Sequence, residues 1–116
     1  MAFEFDADQE ALRESVRRYL ADKAPLSYVR ELYGDDRGTT DEVWRGLAEL
    51  GVVGLLAPGN AGMVDMGVVL EEMGRVVHPG PFLSSAVGAM TVLAGDRVLS
   101  TPAFDALLAP GVAWAA

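Results

Sequence analysis

Most of the side chains that could do chemistry fall between residues 58 and 85: the turn Gly59-Asn60-Ala61-Gly62, the pair Glu71 and Glu72, the lone histidine His78, and Ser84 with Ser85. A general base needs an orienting partner within hydrogen-bond reach. His78 stands in a Val-His-Pro turn and the spacing nominates no such partner, so it is expected to be a partly exposed turn residue. Glu71 and Glu72 are adjacent, so on a helix they project about 100° apart. That predicts a solvated face rather than a metal pair, since a metal site needs several converging ligands. The Gly59–Gly62 turn lacks the Gly-x-x-x-x-Gly-Lys-Ser/Thr spacing of a phosphate loop and follows no clear strand, so it reads as a plain turn. Ser84 and Ser85 have no base in view and read as first-turn polar residues. Met66, Met73 and Met90 read as core filler, although flexible thioethers also suit an acyl-chain channel. No catalytic residue and no metal-ligand set is expected.

The elements that carry these residues read as helices. Asp6 with Gln9 marks a helix start; Leu12, Val16, Tyr19 and Leu20 form its apolar face, with Glu10, Arg13, Glu14, Arg17 and Arg18 toward water. Pro25 ends it near Lys23. A short helix over 26–33 turns Leu26, Val29 and Leu32/Tyr33 inward and stops at Gly34. Asp35 to Gly38 is a polar loop. Thr39 caps the next helix, with Glu42 closing a capping box. Val43, Leu47 and Leu50 line its inner side, with Trp44 beside them. Gly51 ends it, with Val52 folding back on Leu47.

Residues 52–57 read as an extended buried connector. A helix over 65–77 places Met66, Leu70, Met73 and Val77 on one face, with Glu71 and Arg75 paired opposite. Glycine costs about 1 kcal/mol in a helix interior, so Gly67 and Gly74 predict close contact with a neighbouring helix. Pro81 starts a helix over 82–94 that is apolar nearly all round, through Leu83, Ala86, Val87, Met90 and Leu93. Thr101-Pro102 opens a last short helix to about Leu108, and residues 112–116 resemble the start of a strand. The fold class is all-α, a bundle of five to six helices.

With 116 residues the chain makes one domain, long enough to bury roughly two-thirds of its unfolded surface. It has no cysteine, which excludes thiol nucleophiles, disulfides and cysteine-ligated metals. Nine basic residues against seventeen acidic give a net charge of −8, so nucleic acid is not an expected partner. The opening residues are acidic and lack a basic, apolar, small-residue progression, so no signal peptide is expected. The longest weakly polar run, 82–95, falls short of the ~20 residues that span a bilayer, and a cytoplasmic location is expected. Charge is unevenly spread. Beyond Val76 only Asp96, Arg97 and Asp105 are charged, His78 being taken as neutral, so surface there expects a cover: further chain, a subunit or a lipid-like ligand.

In order and spacing, LAELGVVGLLAP, a glycine-bearing turn, VVLEEMGRVVHPGPFLSS and a further apolar helix together resemble the amino-terminal helical domain of acyl-CoA dehydrogenases. Trp44, Leu50, Gly51, Pro58, Glu71, Glu72, Gly74, Arg75, Pro79 and Pro81 fall in step with that family's pattern. The resemblance runs from Phe3 to about Gly111, and implies an N-terminal α-domain over 1–111 with 112–116 opening a β-domain that the chain does not contain. Members are FAD-dependent oxidoreductases that remove two hydrogens from an acyl-CoA thioester. The flavin site and the catalytic glutamate lie in the other domains, so the resemblance implies none of either here. It places Phe82, Leu83, Ala86 and Met90 at the acyl pocket as substrate-pocket residues. It implies acyl-CoA as substrate of the complete enzyme, with the missing β and carboxyl-terminal domains, or a partner subunit in an oligomer, as partners. The family's Pro-Glu-x-x-Gly-Gly-x-Gly loop is shortened here to residues 58–63. The alternative is a stand-alone helical interaction module or degenerate subunit without flavin chemistry.

Overall fold

The computed structural model describes residues 4–56 and 62–91. All regular elements among them are helical: α1 (Ala7–Lys23), α2 (Leu26–Glu31), α3 (Asp41–Leu50), α4 (Met63–Arg75) and the π-wound α5 (Leu83–Ala89). No strand occurs among the described residues. The last helix and strand read from the sequence, at 101–108 and 112–116, lie outside them.

α1 starts where Asp6 Oδ1 accepts the Gln9 N–H at 2.8 Å and Gln9 Oε1 accepts the Asp6 N–H at 3.1 Å, satisfying two orphan donors reciprocally. Val16 and Leu20 are fully buried, with Leu12 and Tyr19 packed against the same core. Arg13 and Arg17, expected in water, instead lean onto α4. Gln9 reaches Asp65 at 3.3 Å, Arg13 reaches Glu71 at 3.2 Å and Arg17 reaches Glu72 at 2.7 Å. The contacts advance together along both helices, so α1 and α4 lie side by side and parallel.

α2 corrects the sequence reading. Leu26 and Tyr33 are exposed rather than inward, and Tyr28 turns in instead. Its hydroxyl finds partners across the loop, accepting the Thr40 N–H at 3.1 Å and exchanging a hydrogen bond with Thr39 Oγ1 at 3.3 Å. A tyrosine with a satisfied hydroxyl buries more surface than leucine at a six-residue helix. This also moves the cap of α3 by one residue. Thr39 is occupied and buried, so Thr40 caps, accepting the Val43 N–H at 3.3 Å.

Gly51 ends α3 at φ 93°, with the Val52 N–H returning to the Leu47 carbonyl at 3.3 Å. Val52 and Val53 are buried as expected, but residues 53–56 wind in turns rather than running extended. Among the described residues neither Gly67 nor Gly74 faces a neighbouring helix: a Cβ on either meets none of them within 4 Å. The close approach falls at Gly46, where a Cβ would lie 2.0 Å from Tyr19 Oη. That hydroxyl donates to the Val43 carbonyl at 3.0 Å, so the Tyr19 side chain reaches from α1 onto α3 at the place where Gly46 carries no side chain.

Candidate functional site

Two constellations stand out, one charged and one apolar. The charged one is Glu72, whose side chain is 1 % exposed. Arg17 binds it through two nitrogens at 2.7 and 3.1 Å, and Arg75 Nε donates at 3.2 Å. Arg13 Nε stands 3.6 Å away while its guanidinium lies 4.9 Å from the centre of the Phe5 ring. The expected Glu71–Arg75 pair is not made; Arg75 takes Glu72, and Glu71 takes Arg13. The hydrogen bond from Arg17 holds the Glu72 carboxyl below its ordinary range, against the opposing effect of burial. The same bond raises Arg17. Such a carboxylate is a poor proton acceptor, because its charge is already matched by donors.

The apolar constellation forms where α4 hands over to α5. The helix ends with the Val77 N–H on the Gly74 carbonyl at 3.2 Å and the His78 N–H on the Met73 carbonyl at 2.9 Å. Val77 sits just beyond the helix rather than in it, at φ 54°, and it is 68 % exposed. A β-branched residue there is strained by about 1–2 kcal/mol. Gly80, at φ 105°, then carries the chain tightly against the loop before α3; a Cβ on it would stand 3.0 Å from the Thr39 Cβ and 3.1 Å from the Gly38 carbonyl oxygen.

The corner opens a groove of 340 Å³ lined by Leu70, Met73, Gly74, Val77, His78, Gly80, Phe82 and Leu83. Phe82 is buried and meets Trp44 edge-on, ring centres 6.5 Å apart. Leu83, next in the chain, is 62 % exposed on the groove. The inner face of α5 therefore runs through Phe82, Ser85, Ala86 and Met90, with Val87 partly buried against the same core and Leu83 turned out. The winding contributes to this shift: the Met90 N–H reaches back to the Ser85 carbonyl, five residues earlier, so each residue turns through a smaller angle than in an α-helix. Ser85 stands in the first turn of α5, as read from the sequence, and is buried there.

His78 is the polar member of the groove. Its ring stacks on Tyr28 with centres 6.1 Å apart and planes within 6°. Its Nδ1 is buried with no hydrogen-bond partner. Burial lowers its pKa from 6.5 to about 4, so the imidazole is neutral at pH 7.

Of the four residues read from the sequence as pocket residues, Phe82 and Leu83 line this groove; Ala86 and Met90 are buried in the interior and are not among its lining residues. The α4 side of the groove was missed, although Leu70, Met73 and Val77 were legible as one stripe. No group of three or more metal-binding side chains occurs among the described residues, and no helix among them is long and apolar enough to cross a membrane. Two further hollows flank Tyr19: one of 520 Å³ between Ser15, Arg18, Asp22 and Leu50, and one of 250 Å³ lined largely by the charged Lys23, Glu42, Arg45 and Glu49.

Residues 6–99 match the sequence family described as acyl-CoA dehydrogenase, N-terminal domain. The chain is 33 % identical over 96 residues to the acyl-CoA dehydrogenase IpdE2 of Mycobacterium tuberculosis, covering 78 % of this chain and 30 % of that protein. It is 32 % identical over 96 residues to IpdE2 of Mycolicibacterium smegmatis, again covering 78 % of this chain, and 31 % of that protein. It is 33 % identical over 118 residues to the acyl-CoA dehydrogenase FadE34 of M. tuberculosis, covering 90 % of this chain and 16 % of that protein. The chain thus spans less than a third of the length of these relatives. No solved structure matches it.

Proposed function

The chain belongs to the acyl-CoA dehydrogenase family as an N-terminal domain, and from that premise we propose that it forms one wall of the acyl pocket of a flavin-dependent enzyme acting on acyl-CoA thioesters. The observation that carries this reading is the groove itself. Val77 and Leu83 hold large apolar side chains in the open beside Leu70, Met73 and Phe82. Val77 does so from a strained backbone. Exposed apolar surface at a concave site favours an apolar occupant.

The domain works beside the β and carboxyl-terminal domains, or beside a partner subunit that supplies them; alone it is not catalytically competent. FAD, which accepts hydride in the complete enzyme, does not fit the described residues. Arg13, Arg17 and Arg75, the clustered cations that would suit a pyrophosphate, are drawn onto Glu72, and the groove offers an isoalloxazine little beyond one imidazole. Glu72 is also unsuited to taking an α-proton, being buried and already matched by arginine.

The test is to purify the 116-residue chain alone and with a partner carrying the missing domains, then follow flavin absorbance on adding an acyl-CoA. Acyl-CoA-dependent bleaching is expected only in the mixture. Stoichiometric FAD binding and bleaching by the chain alone would sink the proposal. A stable monomer indifferent to the partner would favour an independent interaction module.

A further inference from the structure

We draw no further inference here: the strongest candidate, the apolar groove between α4 and α5 with the strained Val77 and the exposed Leu83 among its lining residues, belongs to the site already described, and nothing in the structure shows what else would cover it.

Discussion

The two long sides of α4 solve opposite problems. Toward α1 it buries a full charge and gathers three guanidinium groups around it, Arg17 and Arg75 by hydrogen bonds and Arg13 by charge alone, its buried Nε making no hydrogen bond. Toward α5 it does the reverse, leaving Val77 and Leu83 in the open and His78 Nδ1 without a partner. The first side is an internal joint between helices. The second is unfinished by itself, as expected of a surface completed by something else.

Removing a ring from the groove wall gives the largest expected effect. Phe82→Ala should cost about 3 kcal/mol in chemical denaturation, because Phe82 is both groove lining and Trp44's partner. A loss below about 1 kcal/mol would mean that the groove is not anchored to the core. Acid separates the two sides next. His78 has a folded pKa of about 4 against 6.5, so between those values the unfolded chain binds more protons. Stability should therefore fall as pH drops from 6.5 toward 4, by up to about 3 kcal/mol. Glu72 is shifted down from 4.5, so its contribution is complete above that value and is lost as pH falls through its lower folded pKa. Unfolding curves against pH should show two limbs, the upper removed by His78→Gln and the lower by Glu72→Gln.

At neutral pH Glu72→Gln should itself cost about 2 kcal/mol. That is less than for a fully buried pair, since Arg17 and Arg75 remain in reach of water. It should leave octanoyl-CoA binding unchanged, and a large loss of binding would merge the two sides that the structure separates. Smallest in stability is Val77→Gly, expected to raise it by about 0.5 kcal/mol, because relief at φ 54° exceeds the entropy that glycine adds to the unfolded chain. It should nevertheless weaken octanoyl-CoA binding, measured by titrating the chain with that thioester.

Helix boundaries were legible wherever local chemistry decides them: the Asp6–Gln9 box, the break at Pro25, the stop at Gly51. The apolar stripe of α1 was legible too, and most of that of α3: Val43 and Leu47 are buried as periodicity assigns them, but Leu50, read as inward, is exposed and Trp44 takes the inner face instead. Thr39 and Thr40 show the limit. Both are good caps, and the choice depended on a tyrosine hydroxyl twelve residues away. Glu72 shows it more sharply. Nothing in an adjacent pair of glutamates says which will be buried, because the answer lies in Arg17 on another helix, fifty-five residues earlier.

By itself the sequence determined an all-α domain, the order of its helices and the family to which it belongs, since these follow from spacing, capping and turn residues read locally. Only the tertiary structure decided which carboxylate is locked, that Gly46 seats the Tyr19 side chain of another helix, and that α5 turns Phe82 inward and Leu83 out. Those outcomes depend on which side chains meet across distant elements, and the energies of burial and pairing exist only once they have met.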